Sequence, residues 1–409
     1  MSKSRIIFIL LLSLLSALVY SQTGSVSGTI TDSVTRQPIV NFSIFIPFTT
    51  TGTTTNARGE YLLEKLPPGD YALMFRHIAY HSYTSPMKVE PGQKLVVNIM
   101  ASENSYKIEE VVKIGKVADW NWGYSLFKEF FLGDPWVLKC ELLNPKDLKF
   151  YTDGEIITAY SLKPLEIINK HLGYSITYYL DFFKFAVNNN PAKNSIQVPY
   201  FSFSGNAFYK DLYSGRTPLT GMSWVTNRET EFKGSLKHFL LCLYRNTLAE
   251  NRYSLRKAYW NVVDFAEKEK LAGSMAKIGM TQADSVFCWY PAKNQMGYLH
   301  YLPLEEYLIP PDSITNGPLP GEKTAVFNDF ILIFKDFKGT AGFHDDRTST
   351  LRLPTGKIIF DEDGNYRLTT GELEWADLEN SARLKNVLPR DYLPGYKATG
   401  KRAKDTPLP

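Results

Sequence analysis

The chain has 409 residues, of which 44% are hydrophobic and 22% charged, and its formal net charge is +4. A chain of this length and composition can bury a sizeable core, and the length predicts two or three domains at about 100–200 residues each. The small net charge provides no clustered basic face of the kind that nucleic-acid-binding proteins use. We therefore expect no nucleic-acid partner.

Residues 1–21 have the organisation of a signal peptide. Lys3 and Arg5 form a basic start, and an apolar run covers residues 6–18 before a cleavage position at Gln22. The run is shorter than the ~20 apolar residues of a membrane span, which favours cleavage over a retained anchor. We expect an exported protein, periplasmic or associated with the outer membrane, with no transmembrane span in the mature chain.

Residues 22–103 have the pattern of a small β-sandwich. Apolar residues recur at period two around Ile44, Leu73 and Val97, as in half-buried strands. Turn signals rich in Gly and Pro separate these runs, among them Leu66-Pro67-Pro68-Gly69-Asp70. Short strands at this spacing without a helical pattern predict an all-β sandwich.

The turn motifs of this stretch carry a resemblance. Asn56-x-x-Gly59-x-Tyr61-x-Leu63 is followed by Leu66-Pro67-x-Gly69-x-Tyr71-x-Leu73. In this order they resemble the carboxypeptidase regulatory-like domain, a transthyretin-like sandwich. The resemblance implies a module that stands in front of other modules in secreted and outer-membrane proteins of Bacteroidetes-type bacteria. It implies no carboxypeptidase activity, because a separate zinc domain carries that chemistry in the namesake enzymes.

Residues 104–118 are predicted to form a linker strand. The β-branched stretch Tyr106 to Lys116 is similar to the segment that recruits the TonB protein in nutrient-uptake receptors. Such a segment adds as a strand to the sheet edge of its partner. The sequence leaves two interpretations open, a TonB-recruiting segment and a linker that packs on the next domain, and it favours the linker.

Residues 119–396 mix both periodicities and predict an α+β domain of unknown function with a largely antiparallel sheet. Hairpin signals occur at Asp153-Gly154 and Asp363-Gly364. An apolar face predicts a helix over Ser235 to Glu250, and a weaker pattern suggests another between Val262 and Ile278. Residues 397–409 are basic and contain proline, which predicts a disordered tail.

A second resemblance covers this region. It rests on a series of short motifs: Asp134-x-Trp136, Cys140-x-Leu142-x-Asn144-Pro145, Pro164-Leu165-x-Ile167-x-Asn169, Leu172-Gly173-Tyr174-x-Ile176, Arg228, Phe232-x-Gly234-Ser235-Leu236 and His238-Phe239-Leu240. They are similar to uncharacterised Bacteroidetes envelope proteins that carry the same N-terminal sandwich. The resemblance implies export and a two-domain organisation, and it assigns no catalytic residue.

No local motif for catalysis stands out. The chain lacks His-Glu-x-x-His, a Gly-x-Ser-x-Gly elbow, a phosphate-binding loop and a Rossmann fingerprint. His77 and His81 are four residues apart but lie on an extended segment, and His238 favours packing or capping. The six histidines are His77, His81, His171, His238, His300 and His344. The sequence therefore predicts no catalytic, cofactor-binding or metal-binding residue.

Two further patterns favour structural interpretations. Residues 361–365, with Glu372, imitate a calcium loop, but Tyr366 stands where the loop needs Gly, so a β-hairpin turn is favoured. His344-Asp345-Asp346 could bind a cation, but a solvated loop is the favoured interpretation. The cysteines Cys140, Cys242 and Cys288 form no disulfide framework, and their pairing stays open.

Binding remains as the leading hypothesis. Aromatic residues make up 14% of the chain, and those at Trp120 to Trp122, Tyr298 to Tyr307 and Trp375 could contact a sugar or a protein as well as fill the core. We expect a non-catalytic cell-envelope protein whose sandwich serves as an interaction or spacing module and whose second region binds an envelope protein or carbohydrate. The alternatives are a hydrolase with a site assembled from distant residues and an accessory of a TonB-dependent uptake system.

Overall fold

The computed structural model describes a large part of the chain. The described residues are 23–104, 116–133, 139–154, 156–161, 163–190, 195–213, 219–262, 285–290, 295–301, 308–319, 321–326, 330–336, 347–352, 357–368, 374–377, 388–394, 396–397 and 401–402. In this part of the chain, no helix is long and apolar enough to span a membrane.

Residues 23–104 form a β-sandwich of two four-stranded sheets, which confirms the predicted fold. Its strands are β1 (Gly24–Asp32), β2 (Ser43–Phe45), β3 (Gly52–Thr54), β4 (Glu60–Leu66), β5 (Gly69–His77), β6 (Tyr80–Val89), β7 (Lys94–Val96) and β8 (Ile99–Ala101). One sheet has the order β4-β1-β7, with β8 also paired to β1 in parallel. The other sheet has the order β3-β2-β5-β6.

The period-two residues of the sandwich fill the space between its sheets. Val26 and Ile30 from β1 meet Ile44, Leu73 and Phe75 from the second sheet, and each is fully buried. Side chains of a strand alternate between its two faces, so the intervening residues face outward. Burial of these apolar side chains stabilises the sandwich at about 25 cal/mol per Å².

A seven-stranded antiparallel sheet follows, in the order β10-β13-β14-β12-β11-β9 with β15 on β14. Its strands are β9 (Lys116–Val117), β10 (Cys140–Leu142), β11 (Leu148–Asp153), β12 (Ile156–Ser161), β13 (Leu165–Asn169), β14 (Tyr174–Asn190) and β15 (Ser195–Asp211). The predicted hairpin at Asp153-Gly154 is confirmed, because β11 and β12 pair directly around it. β14 and β15 form a second hairpin with 17 residues in each strand.

Helical residues cover one face of this sheet. Helix α1 (Trp120–Phe127) continues into a π-helical turn over Lys128–Leu132. Phe127 and Phe131 are fully buried and make edge-to-face contacts with Phe183 of β14. Gly133 ends the turn with a φ of 88°, a conformation that glycine adopts without steric cost. The sandwich contacts the same sheet at strand β15, where Thr49 forms a parallel bridge with Phe208.

The remaining described strands form a six-stranded sheet, a four-stranded sheet and a short pair. They are β16 (Tyr253–Val262), β17 (Ser285–Tyr290), β18 (Gln295–Tyr301), β19 (Thr315–Leu319), β20 (Glu322–Ala325), β21 (Phe330–Lys335), β22 (Arg347–Arg352), β23 (Ile358–Asp361), β24 (Tyr366–Leu368), β25 (Glu374–Asp377), β26 (Tyr396–Lys397) and β27 (Lys401–Arg402). The larger orders are β17-β18-β16-β21-β22-β25 and β19-β20-β23-β24. Strands paired in this way, with few helices, confirm the predicted α+β class.

The described part of this region contains the helices α2 (Leu219–Phe232) and α3 (Leu236–Arg245) and the short helix α4 (Pro311–Ile314). The sequence prediction missed α2 and extended α3 to Glu250. Helix α3 ends earlier because Asn246 adopts a left-handed φ of 57° and its N–H caps the last turn. The apolar face of α3 packs into a cluster with Leu255 and Ile333, separate from the cluster of the seven-stranded sheet.

Several predictions fall outside the described residues. These are the signal peptide at 1–21, most of the linker strand at 104–118, and nearly all of the helix between Val262 and Ile278. Within the linker, Lys116 and Val117 pair with β11 as strand β9. The boundaries of the 119–396 domain and the disordered tail at 397–409 stay predictions.

Candidate functional site

The sandwich docks on the seven-stranded sheet through the loop between β2 and β3. The backbone N–H of Phe48 donates to the Ala207 carbonyl at 2.7 Å, and the Tyr209 N–H donates to the Thr49 carbonyl at 3.0 Å. Thr49 thereby forms a parallel bridge with Phe208 on β15. The docking thus uses backbone hydrogen bonds, the same contacts that join strands within a sheet.

Aromatic packing completes this junction. Phe45 of β2 points away from the sandwich core, and its ring stacks on Tyr179 of β14 at 5.4 Å and contacts Phe208 at 5.7 Å. Phe45 is 1% exposed, so the seven-stranded sheet buries it. Gly52 lies so close to Phe208 that a Cβ there would come within 2.5 Å of the ring. The two sheets are therefore in close contact.

Residues 388–394 cross the junction from the C-terminal side. The Arg390 N–H donates to the Phe48 carbonyl at 2.7 Å, and its guanidinium lies 5.0 Å from the centre of the Phe48 ring. The Arg390 carbonyl in turn accepts a hydrogen bond of 2.6 Å from the Lys237 ammonium on α3. This segment therefore joins the sandwich to the C-terminal helix and sheets.

Beside the docked loop, the sandwich and the seven-stranded sheet line an open groove of about 380 Å³, which we call the junction groove. The sandwich contributes one wall, and the turns and strands around β13 and β14 contribute the other. The lining residues are Asn41, Ser43, Arg76, His77, Ile78, Asn144, Lys163, Pro164, Glu166 and Tyr179. Most of them are polar, so the groove offers hydrogen-bond donors and acceptors from both sides.

Asn144 fixes the corner of the groove on the side of the seven-stranded sheet. Its amide nitrogen donates to Asp147 Oδ2 at 2.8 Å and to the Pro164 carbonyl at 2.9 Å, while its Oδ1 accepts the Glu166 N–H at 2.8 Å. These bonds hold the β12–β13 turn in place. The carboxylate of Glu166 and the ammonium of Lys163 are consequently presented from a fixed backbone.

Burial shapes the ionisation of the lining side chains. Burial raises the pKa of Glu166, and the Thr177 hydroxyl, which donates to Glu166 Oε2 at 3.1 Å, opposes that shift. Burial also raises the pKa of the Tyr179 phenol, which is hydrogen bonded to Ser43. On the sandwich side, burial lowers the pKa of His77. These shifts favour the uncharged form of each group.

The two cations of the groove form long ion pairs. Arg76 Nη2 lies 3.6 Å from Asp181 Oδ1, and Lys163 Nζ lies 3.5 Å from Asp147 Oδ1. Charge-assisted hydrogen bonds are usually 2.7–2.9 Å long. Arg76 also lies over the Tyr179 ring, with its Cζ 5.4 Å from the ring centre. Both cations are therefore held near carboxylates without close hydrogen bonds to them.

A buried cysteine–histidine pair is present, but burial disfavours its use as a nucleophile. His238 Nε2 lies 3.5 Å from Cys242 Sγ, and its Nδ1 lies 2.8 Å from the Tyr253 hydroxyl. Burial raises the pKa of the Cys242 thiol to about 11 and lowers that of His238 to about 3, so both groups stay neutral near pH 7. A nucleophilic cysteine needs the thiolate. The packing role predicted for His238 is confirmed.

The remaining motifs from the sequence have structural roles where the structure describes them. Asp361 Oδ1 accepts hydrogen bonds from the N–H groups of Asp363 and Asn365. Residues 361–365 therefore form the predicted β-hairpin turn, which was favoured over a calcium loop. Trp120 and Trp122 pack against the cluster of the seven-stranded sheet. Within the described residues, no group of three His, Cys, Asp or Glu could hold a metal ion.

Of the remaining residues named in the sequence analysis, the structure describes the side chains of two cysteines. Cys140 and Cys242 are buried free thiols. The side chains of Cys288, His300 and Trp375 lie outside the described residues, as do His344 and Glu372. The groove residues Arg76, Lys163 and Glu166 were not singled out in the sequence, because no local spacing connects them.

Residues 26–113 match the family model of the CarboxypepD_reg-like domain. The N-terminal sandwich is a CarboxypepD_reg-like domain. The resemblance expected from its turn motifs is thereby confirmed, and no curated protein matches the chain.

Solved structures match parts of this chain with low scores. A type II cohesin–X-dockerin complex from Acetivibrio cellulolyticus is 19% identical, with a TM-score of 0.19, over 23% of this chain and 76% of that chain. The pilus 2b backbone protein of group B streptococcus is 14% identical, with a TM-score of 0.18, over 20% of this chain and 42% of that chain. A putative carbohydrate binding protein from Bacteroides uniformis is 10% identical, with a TM-score of 0.14, over 46% of this chain and 99% of that chain. None of these partial similarities indicates a function.

Proposed function

We propose that this chain is a non-catalytic, exported cell-envelope protein that binds a glycan in the junction groove. The observation that carries the proposal is that the CarboxypepD_reg-like domain and the strands and turns around β13 and β14 jointly line an open groove with both polar side chains and apolar surface. In this proposal the CarboxypepD_reg-like domain supplies one wall of the binding site and also holds the second region in position.

The chemistry of the groove suits a sugar. Sugar hydroxyls both donate and accept hydrogen bonds, so they need donors and acceptors close together. Asn41 and Ser43 offer both from the sandwich side, Arg76 offers donors, and Glu166 offers acceptors from the opposite wall. Ligand sites commonly lie at domain interfaces and measure about 300–1,000 Å³. The junction groove meets both conditions.

Binding is favoured over hydrolysis by the arrangement of the carboxylates. Glycosidases use two carboxyl groups that face each other about 5–10 Å apart. Among the described residues that line the groove, Glu166 carries the single carboxylate. Nearby Asp181 accepts the Ser204 hydroxyl and faces Arg76, while Asp147 accepts the Asn144 amide. These partners give both aspartates structural roles.

Blocking the groove tests the proposal. Ile78 lines the groove and is 57% exposed, so Ile78→Trp should fill part of it without disturbing the core. The matched control is Ile156→Trp, at a site 40% exposed and opposite Ala186, seven residues or about 23 Å along β14 from Tyr179. On a glycan array, the wild type and Ile156→Trp should bind the same glycan, and Ile78→Trp should lose it. Failure of the wild type to bind any glycan would refute the proposal.

A further inference from the structure

The two cations of the junction groove differ from other ion-pairing cations of the protein. Arg228 binds Asp211 through two hydrogen bonds of 2.7 and 2.9 Å, and Lys170 lies 2.6 Å from Glu141. In the groove, by contrast, Arg76 and Lys163 stay 3.6 and 3.5 Å from their carboxylates. The groove thus holds two cations whose charge is balanced nearby but whose N–H donors are not closely bound by those partners.

Arg76 brings a guanidinium, a group suited to a planar anion, to the lining of the groove. Its Cζ lies 5.4 Å from the centre of the Tyr179 ring, its Nε donates to Met74 Sδ at 3.5 Å, and its Nη2 lies 3.6 Å from Asp181 Oδ1. These contacts involve Nε and Nη2, while a guanidinium has five N–H donors in a planar fork that matches a carboxylate. The Arg76 side chain is only 20% exposed and is fixed on β5 opposite Ser43, which limits the entropy lost on binding.

From this contrast we infer that the glycan carries a carboxylate, as in a uronic acid, and that Arg76 binds this carboxylate with Lys163 beside it. The inference rests on the proposed function. The ligand carboxylate takes the N–H edge of Arg76 that Asp181 contacts at 3.6 Å. Glu166 and Asn41 then remain for the hydroxyl groups of the sugar.

Negative groups around the groove set the selectivity. Asp181, Asp147 and Glu166 all lie near the two cations. A ligand carboxylate therefore binds favourably only where its hydrogen bonds to Arg76 or Lys163 are shorter than the contacts that these carboxylates make. A sugar with one carboxylate per ring meets this condition through the fork of Arg76. Densely charged sulfated chains bring extra negative charge next to these carboxylates, and we expect them to bind less tightly than uronates.

The test compares uronate oligosaccharides with their methyl esters, which lack the charge but keep the hydroxyls. The probes are oligomers of galacturonate, glucuronate-containing hyaluronan and alginate, measured by isothermal titration calorimetry. We expect one acid to bind about 10- to 100-fold more tightly than its ester, because a hydrogen bond to a charged group is lost in the ester. Arg76→Gln should remove this preference, while Arg58→Gln, at an exposed site on the sandwich, should keep it.

The outcomes separate this inference from the proposed function. Equal affinity for acid and ester, or binding of neutral glycans alone, overturns the inference and leaves the proposed function standing. No binding of any glycan on the array overturns both. Should Arg76→Gln fail to fold, Lys163→Gln replaces it, since the Lys163 side chain is 59% exposed, and a fall in affinity for the acid alone is expected.

Discussion

Thr50 and Asp391 are hydrogen bonded to each other although 341 residues separate them in the sequence. The Thr50 N–H donates to both carboxylate oxygens at 2.9 and 3.0 Å, and its hydroxyl donates to Oδ2 at 2.6 Å. The Asp391 carboxylate of the 388–394 segment therefore accepts the hydrogen bonds that the docking loop donates at Thr50. The contact ties the start of the described chain to a segment near its end.

We predict that Asp391→Asn weakens the attachment of the sandwich. Asparagine keeps the size of the side chain but loses the charge and one acceptor, which should cost about 1 kcal/mol of unfolding free energy at this exposed site. Limited proteolysis near residue 50 and thermal unfolding measure the effect. The matched control, Glu64→Gln, removes a negative charge from an exposed position on β4 and should leave both unchanged.

The sandwich could be predicted from the sequence because its signals are local. The alternation around Ile44 and Leu73 and the turn at Gly59 each specify a strand or a turn within a few residues. Hairpins such as β11–β12 were predicted for the same reason, since the Asp153-Gly154 turn lies between its own strands.

Helix α2 and the junction groove could not be predicted in this way. Helix α2 is rich in polar residues, and its role lies in distant contacts, such as the Asn227 amide that donates to the His171 carbonyl at 2.8 Å. Arg76 and Glu166 belong to different modules, and they line the same groove because Phe45 and the β2–β3 loop dock on the second sheet. No spacing in the sequence encodes that contact.

A methyl group at Gly173 should be strongly destabilising. Gly173 has a φ of +70°, and a Cβ there would lie 2.3 Å from the Trp224 ring of α2. Gly173→Ala therefore combines the cost of the left-handed backbone, about 1 kcal/mol, with a steric clash, and should lower the unfolding free energy by about 2 kcal/mol or more. Gly154→Ala provides the control, because Gly154 has a φ of +61° with nothing within 4 Å. Urea unfolding of both variants isolates the clash, and equal losses would contradict this reading of Gly173.

Arg228 should contribute more stability than any exposed arginine. It is 5% exposed, binds Asp211 in a bidentate pair, and donates to the carbonyls of Leu172 and Gly173 at 2.6 and 3.0 Å. Arg228→Ala removes the guanidinium from the Leu172 carbonyl and from Asp211, while the Gly173 carbonyl keeps the Leu212 N–H and Asp211 Oδ1 keeps the Tyr213 N–H; breaking this buried pair should cost about 3 kcal/mol. Arg58→Ala removes a surface ion pair with Glu60 and should cost less than about 1 kcal/mol. Comparable losses in chemical denaturation would contradict the assignment.

The final prediction concerns His238 and acid stability. Burial, together with the positive charges of Lys335 and Lys233, lowers the pKa of His238 to about 3 in the folded protein, while an unfolded histidine titrates near 6.5. Between these values the unfolded chain binds the proton and the folded chain does not, so stability falls as the pH falls from about 6.5 towards 3. The slope from this one group is at most about 1.4 kcal/mol per pH unit.

Replacing the imidazole should remove that slope. Urea unfolding at a series of pH values from 4 to 7 is expected to give a shallower pH dependence for His238→Gln than for the wild type, whatever the stability of the variant at pH 7. His81→Gln, at an exposed position on β6, is the control for loss of a surface imidazole. Parallel curves for the wild type and His238→Gln would mean that His238 is protonated in the folded protein, and the neutral His238–Cys242 pair would have to be abandoned.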